Sequence, residues 1–350
     1  MKTPFSLRVK NFFANIPLIA TPITAWELAA NGYINRTPKY RSKQQRKLVW
    51  FSLLNFKFAV KWFATFKSPE LSNIAQQRPR MVVKPFRPYI SIKWNKNQKV
   101  KVLLDTYKFM ENKGGLLAQV LANPEGVVVS RFIFENQYEG FLVLGYSEGF
   151  RKEGELALSF DCEQLGGRVT SVAFSFEEIK KGEWAGIVGC IQGHKSQQVD
   201  EAFKLTQKLL HGLRPNAFIF YTSQELLRNL GLQTIYGIGR SIHVSINKHL
   251  INLPWKQNIS FDYNKFWLEA GGHSINDDWY ELPLVPIRKS IQEVKSQKRS
   301  MYSKRYEMLD SLSLQIANSV NAPQDTNNSQ VDNKTIYVSK EVVQRQPILS

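Results

Sequence analysis

The sequence has few cysteines and lacks the short motifs that mark most nucleotide-binding and catalytic sites. Its two cysteines, Cys162 and Cys190, stand 28 residues apart. We therefore expect no disulfide framework but two buried free thiols in a reducing compartment. A P-loop, a GxGxxG turn, a GxSxG elbow, an HExxH helix and zinc-finger spacing are all absent. The sequence thus predicts no metal site and does not identify a type of reaction.

Acidic residues are almost missing from the first 101 residues. This segment holds 20 Lys and Arg but only two acids, Glu27 and Glu70, whereas residues 102–350 hold 27 basic and 27 acidic residues. The whole formal net charge of +18 therefore belongs to the first segment. Such a charge favours an anionic membrane surface or a nucleic acid as partner, although no nucleic-acid-binding motif accompanies it. No protein partner can be inferred.

Long hydrophobic runs are also scarce. Residues 48–66 form an apolar run close to the length of a membrane span. However, Lys57 and Lys61 lie inside it, and each would cost about 2.5–3.5 kcal/mol near a bilayer centre. Two interpretations stay open: a helix buried on one side against the protein, or an interfacial helix on anionic lipid. Together with the basic cluster before the run, the candidate contacts with a membrane or polyanion are Lys43, Arg46, Lys47, Lys57 and Lys61.

The N-terminus has no apolar stretch long enough for a secretory signal, because polar residues and prolines interrupt it. We therefore expect a cytoplasmic protein, peripheral to the inner membrane if the basic segment binds lipid. Residues 317–350 are rich in Asn, Gln, Ser and Asp and predict a flexible tail. The expected parts are a basic, aromatic-rich helical region with a linker (1–101), an α+β domain (102–316) and this polar tail.

Apolar periodicity predicts an α+β fold. After an extended basic linker at 78–88 and a short helix at 100–110, strand-like alternation is found at 116–122, 127–134, 141–145, 155–160, 168–176 and 185–191. Short turns between these segments indicate an antiparallel meander. Two helices are expected next, at 197–210 and 221–230, and then two strands, at 234–239 and 241–246. A basic helix is expected at 295–312. This order is similar to a GNAT-like sheet flanked by helices.

Two segments carry the candidate functional residues. In the first, GCIQG is followed by a helix and LHGLRP, and the candidate catalytic residues are Gln192, His211 and Arg214. The second is KRSMYSKRYEMLD at 298–310, where guanidinium and phenol groups are suited to phosphate or carboxylate. The candidate ligand-binding residues are Gly193, Arg299, Tyr302, Arg305 and Tyr306. The alternative is an internal network that ties this helix to the sheet.

Both segments resemble the VirK/YbjX family, bacterial proteins of undetermined biochemical function. GCIQG matches the family's G-x-x-Q-G run, LHGLRP its H-G-L-R-P stretch, and KRSMYSKRYEMLD its K-R-x-M-Y-x-x-R-Y-x-x-L-D. Asp105-Thr106-Tyr107 departs from the His-Tyr that the family often has. The resemblance covers roughly residues 35–312. It implies a Gram-negative source and a link to virulence, envelope integrity, resistance to antimicrobial peptides or stress responses including DNA damage, but no catalytic residue.

Three functions follow as hypotheses. The first is a non-enzymatic accessory protein at the cytoplasmic face of the envelope. The second is a GNAT-like acyltransferase that uses acyl-CoA or acyl-carrier protein, although the usual pyrophosphate loop is missing at 192–196; otherwise no cofactor is expected. The third is a nucleic-acid-binding protein. A deep cleft beside Gln192 and Arg214 would favour the enzyme, and a filled interior would favour the accessory protein.

Overall fold

The computed structural model of the chain describes residues 17–123, 125–146, 148–193, 199–246, 261–276 and 278–322. Within these residues, eight strands form one open sheet: β1 Val127–Ile133, β2 Glu139–Gly145, β3 Leu156–Cys162, β4 Gly167–Lys180, β5 Glu183–Gly193, β6 Thr234–Ile238, β7 His273–Asn276 and β8 Trp279–Leu282. Their order is β1-β2-β3-β4-β5-β6-β8-β7, and every neighbouring pair except β5 and β6 is antiparallel. The predicted α+β class and mostly antiparallel sheet are confirmed.

Helices precede the sheet, connect β5 to β6, stand between β6 and β7 and follow β8. Their bounds are α1 Pro17–Gly32, α2 Pro38–Leu54, α3 Phe56–Thr65, α4 Pro69–Gln77, α5 Lys96–Lys113, α6 Gly115–Ala122, α7 Val199–Leu209, α8 Pro215–Asn229, α9 Tyr263–Glu269 and α10 Arg299–Asn321. The connection through α7 and α8 makes β5 and β6 parallel over residues 185–188. This order motivates the GNAT-like prediction, and the assignment itself stays a prediction.

The core is continuous from the N-terminal helices to α10. Thr106 of α5 bonds through Oγ1 to the backbone N (2.9 Å) and O (3.1 Å) of Phe176 in β4, and the Phe109 ring lies 4.4 Å from the Phe176 ring. On α8, Phe218 packs 5.2 Å from Phe160 of β3. The expected domain boundary at 101/102 falls inside α5, and the buried side chains before and after it belong to one cluster.

Three segments adopt a different structure from the predicted one. Residues 78–88 are not a surface linker, because Pro79–Phe86 is a 3-10 helix with buried Met81, Val82 and Val83. The Trp62 indole of α3 donates to the Val82 carbonyl (2.8 Å) and fixes this segment. Residues 116–122 are α6 rather than a strand, since a short apolar run has no decisive period. Residues 241–246 lie in two 3-10 turns, Arg240–Ile242 and Val244–Ile246.

Several helix ends also differ from the predictions. The run at 48–66 is two helices, α2 and α3, that meet at Asn55, whose Nδ2 donates to the Phe51 carbonyl (2.9 Å). The helix expected at 221–230 begins earlier, at Pro215, because proline suits the first helical turn. α10 continues past 316 and buries Ile316 and Val320. The predicted helix start near 197 and tail residues 323–350 lie outside the described residues.

Candidate functional site

The two motif segments that carry the candidate residues contact each other. Arg305 of α10 is 9% exposed and donates to the His211 carbonyl from Nε (3.0 Å) and Nη2 (2.6 Å). His211 and Gly212 both have positive φ angles, 50° and 78°, and a Cβ on Gly212 would lie 3.0 Å from Arg305 Nη2. The guanidinium also lies 4.1 Å from the Tyr302 ring centroid. These contacts support the internal-network interpretation of Arg305 and Tyr302.

Two other candidate residues of this helix, Arg299 and Tyr306, also bind the chain's own backbone. Arg299 donates from Nε to the Val294 carbonyl (3.1 Å), and the Tyr306 hydroxyl donates to the Lys289 carbonyl (2.8 Å). The Tyr302 and Tyr306 rings meet edge to face at 5.9 Å. The structure thus brings the candidate Arg and Tyr side chains together, in a network that joins α10 to the segments before it.

The candidate catalytic residues have separate hydrogen-bond and ion-pair partners. The Gln192 side chain is exposed on β5, and its backbone carbonyl accepts a hydrogen bond from Thr170 Oγ1 (3.3 Å). Gly193, the next residue, pairs with Thr170 in the ladder between β4 and β5. The Arg214 side chain is 69% exposed and pairs with Glu269 at 3.5 Å. In the described part of the chain, no hydrogen bond or ion pair joins any two of Gln192, His211 and Arg214. Their catalytic role stays a prediction.

Both cysteines are free and buried. Burial raises the pKa of the Cys190 thiol well above its ordinary value, and the Glu153 carboxylate raises it further. A nucleophilic cysteine needs the opposite shift, because the thiolate is the reactive form. Among the described residues, no three His, Cys, Asp or Glu side chains are placed to hold a metal ion.

The cations predicted to contact a membrane or polyanion point outward. Lys43, Arg46 and Lys47 are exposed and continue along the same side of α2 into exposed Trp50, Leu53 and Leu54, at helical spacings of three and four. The exposed fractions of the apolar three are 60%, 45% and 63%. On α3, Lys57 and Lys61 are exposed, while Ala59, Trp62 and Phe63 on the other side are buried. We call this surface the basic–apolar face; its residues are Lys43, Arg46, Lys47, Trp50, Leu53, Leu54, Lys57 and Lys61.

A cavity of about 330 Å³ lies between the turn after α1, the 3-10 helix and the start of β3. Five cations line it, four of them from the first 101 residues, and Glu155 is the one acid among its described lining residues. We call it the arginine cavity, after Arg36, Arg78, Arg80 and Arg151, which line it together with Lys84. None of the candidate catalytic residues lines it. The sequence analysis missed this site.

The floor of the arginine cavity holds a buried polar network. Glu155 is buried, pairs with the ammonium of Lys84 and accepts from the Tyr107 hydroxyl at 2.7 Å. Burial and the Glu155 carboxylate raise the pKa of Tyr107 well above its ordinary value. Burial also raises the pKa of Tyr146 to about 12, although the nearby Arg78 guanidinium opposes the shift. Both phenols therefore remain protonated near neutral pH and act as hydrogen-bond donors.

Arg78 lies against an aromatic ring of the cavity wall. Its guanidinium carbon lies 3.6 Å from the Tyr146 ring centroid, a cation–π contact. Its Nε and Nη2 atoms are buried and make no hydrogen bond to any residue that the structure describes. A sequence signal for this floor did exist: Glu155 is an acid at the start of an apolar strand. Nothing local, however, links it to Arg78.

The described residues define an α+β protein with an open, mostly antiparallel sheet of eight strands and flanking helices. The family described as "Protein of unknown function (DUF535)" matches residues 38–318, and the chain belongs to this family, that of YbjX and VirK. It is 26% identical to "Uncharacterized protein YbjX" of Escherichia coli (strain K12) over 280 residues, 79% of this chain and 84% of the relative.

A second relative is an "Uncharacterized protein" of Haemophilus influenzae, 28% identical over 225 residues, which are 64% of this chain and 72% of the relative. No solved structure matches the chain. In the described residues, no helix has both the length and the apolar character that a membrane crossing requires.

Proposed function

We propose that this protein binds the surface of anionic membranes through the basic–apolar face, as a peripheral accessory protein at the cytoplasmic side of the envelope. One observation carries the proposal: Lys43, Arg46 and Lys47 share an exposed side of α2 with three large apolar residues. Cations near an anionic leaflet contribute about 1 kcal/mol each. An amphipathic helix in the interface buries its apolar side chains among the acyl chains.

Charge and exposure together favour lipid over the other anionic partners. The phosphates of a nucleic acid would pair with the same cations but would leave Trp50, Leu53 and Leu54 without a role. An aqueous surface gives these side chains nothing to bury against, and fully burying a Leu is worth about 1.5–3 kcal/mol. The functions implied by the family resemblance, envelope integrity and resistance to antimicrobial peptides or stress, fit an activity at this surface. An acyltransferase activity has no comparable support, since no hydrogen bond or ion pair among the described residues joins its candidate residues.

Vesicle sedimentation tests the proposal. We expect the full-length protein to sediment with vesicles that contain phosphatidylglycerol and to stay in solution with pure phosphatidylcholine. Replacing Trp50, Leu53 and Leu54 by Gln should release most of the bound protein, and Lys43→Gln/Arg46→Gln/Lys47→Gln should do the same. The matched controls are Val285→Gln/Ile287→Gln, at exposed apolar residues elsewhere, and Lys180→Gln/Lys181→Gln/Lys208→Gln at exposed cations elsewhere.

Equal binding to neutral and anionic vesicles would contradict the proposal. Equal losses in the variants and their controls would contradict it as well, because binding would then follow net charge or overall hydrophobicity. If the protein instead binds duplex DNA, with strong salt dependence and no effect of the three apolar substitutions, the basic–apolar face serves nucleic acid.

A further inference from the structure

The start of α1 carries exposed apolar side chains that the basic–apolar face does not include. Leu18 is 65% exposed and Ile19 is 36% exposed, whereas α1 enters the core through the small residues Ala25 and Ala29. Single exposed apolar residues are common on protein surfaces, so their meaning depends on what lies beside them. The packing of α1 on α2 supplies that information.

α1 and α2 pack as an antiparallel hairpin. Near the turn between them, the Tyr33 and Tyr40 rings lie 5.8 Å apart. Further along, Gln45 Nε2 donates to the Trp26 carbonyl at 3.4 Å. The start of α1 therefore lies at the same end of the hairpin as the end of α2, and α1 also contacts α3, which follows α2 directly. This end carries four exposed apolar side chains, and we call it the hairpin tip: Leu18, Ile19, Leu53 and Leu54.

Charge and apolar surface are separated along the hairpin. On the exposed side of α2, the cations Lys43, Arg46 and Lys47 come first and the apolar residues follow them. At a rise of about 1.5 Å per residue, Lys47 lies about 10 Å from Leu54 along the helix axis. An interfacial helix buries its apolar side chains about 5–10 Å into the boundary between headgroups and acyl chains. The spacing thus fits a hairpin whose tip lies among acyl chains while the cations stay at the level of the headgroups.

The charge of this region favours lipid over a second copy of the chain. Residues 1–16, which precede α1, hold three cations and no acid, and Glu27 is the only acid in residues 1–69. A symmetric contact between two hairpin tips would bring the cations of both copies together, and like charges repel. An anionic bilayer instead offers an apolar interior to the tip and counter-charges to the cations beside it.

We propose that the hairpin tip inserts end-on into the acyl layer of an anionic bilayer, with α1 as a second lipid contact beside α2. The cations of α2 bind headgroup phosphates above the tip, and Trp50 lies between the two levels, at the depth that indole rings favour. The inference rests on the proposed function, because it concerns the same membrane. It adds Leu18 and Ile19 to the contact and sets the order of depth along the hairpin.

Depth measurements with a fluorescent NBD probe test this order. The full chain carries the probe at one introduced cysteine, Ile19→Cys, Leu54→Cys or Lys43→Cys, and Val285→Cys at an exposed position after β8 is the control. The two native cysteines are buried, so the unmodified chain serves as the labelling blank. With phosphatidylglycerol vesicles we expect quenching by spin labels on the acyl chains at positions 19 and 54, weaker quenching at 43 and none at 285.

Binding measurements test whether α1 contributes to the affinity. Leu18→Gln/Ile19→Gln should weaken partitioning to phosphatidylglycerol vesicles about tenfold, because two apolar side chains lose their burial among acyl chains. Leu268→Gln/Ile275→Gln, at exposed apolar residues of α9 and β7, is the matched control and should leave the partitioning unchanged. All four positions are exposed, so we expect the variants to fold, and circular dichroism checks it.

The outcomes separate this proposal from the proposed function. If position 54 is quenched but position 19 is not, and Leu18→Gln/Ile19→Gln binds as the unmodified chain does, membrane binding stands and insertion of the tip is overturned. Equal quenching at 19, 43 and 54 would mean that the hairpin lies flat and would also overturn the proposal. A probe at 19 that is shielded before vesicles are added, in a chain that light scattering shows to be a dimer, would assign the tip to a second copy and overturn it. If no position responds to vesicles, both proposals fail.

Discussion

The buried pair of Lys84 and Glu155 offers a quantitative test of how the 3-10 helix is attached to the sheet. The side chains are 13% and 2% exposed, and the carboxylate also accepts from the Tyr107 hydroxyl at 2.7 Å. Lys84→Met keeps most of the aliphatic length but removes the ammonium, which leaves a buried carboxylate with a neutral donor alone. Removing one partner of a buried ion pair costs about 3–5 kcal/mol. For a domain with a total stability of about 5–15 kcal/mol, this is a large fraction.

The reverse substitution should cost less. Glu155→Gln leaves Lys84 without a counter-charge, but this ammonium is more exposed than the carboxylate, and the amide oxygen still accepts from Tyr107. The double variant Lys84→Met/Glu155→Gln contains no buried charge at this place. Its loss of stability should therefore be smaller than the sum of the single losses by at least about 2 kcal/mol.

Urea unfolding at pH 7, followed by tryptophan fluorescence, measures the three free energies. The reasoning would be refuted by a loss below about 1 kcal/mol for Lys84→Met, or by single losses that simply add. Either result would mean that water reaches the pair and screens it as it does at a surface.

Three further predictions concern other parts of the fold. Burial lowers the pKa of His243 to about 4, so the unfolded state takes up a proton on this imidazole first as the pH falls. Urea unfolding at a series of pH values should therefore show the free energy of unfolding dropping by up to about 3 kcal/mol from pH 6.5 to pH 4. The drop should be smaller in His243→Phe. Arg305→Met removes both donors to the half-buried His211 carbonyl and should cost about 2–3 kcal/mol in thermal unfolding. A Cβ added at Gly189 would lie 1.8 Å from a backbone oxygen, whereas a Cβ added at Gly193 would have its nearest contact at 3.8 Å. Gly189→Ala should therefore lower the yield of folded protein or reduce the free energy of unfolding by at least about 2 kcal/mol, and Gly193→Ala should be tolerated.

The sequence predicts those parts of the fold in which a local pattern decides the structure. The five strands β1–β5 follow from alternation between turn residues, and Gly231 follows α8 with a φ of 84°, as a C′ glycine does. The prediction fails where a tertiary contact decides. At 79–86, prolines suggest a linker, but the Trp62 indole and the buried Met81 hold a 3-10 helix. At 115–122, eight apolar-rich residues carry no decisive period.

The arginine cavity could not be predicted from the sequence for a related reason. Arg36, Arg78 and Glu155 come from a turn, a helix end and the residue before a strand, and they meet only because α5 and the 3-10 helix pack on the sheet. In the sequence, the two arginines are part of a uniform excess of charge. Composition singles out three segments as candidate functional sites, 186–193, 210–215 and 298–310. In the structure, however, Arg305 and Tyr306 of the third segment bind backbone carbonyls and so join chain segments to one another.

Part of the excess charge of the first 101 residues lies in two places that differ in solvent exposure, the basic–apolar face and the arginine cavity. Lys43, Arg46 and Lys47 face solvent on α2, where salt at 0.15 M screens charges beyond about 8 Å. Arg78 in the cavity has buried guanidinium atoms, which salt screens much less. Raising salt from 0.05 to 0.5 M should thus release the protein from phosphatidylglycerol vesicles. Vesicle binding that does not weaken with salt would show that the exposed cations of α2 do not drive it.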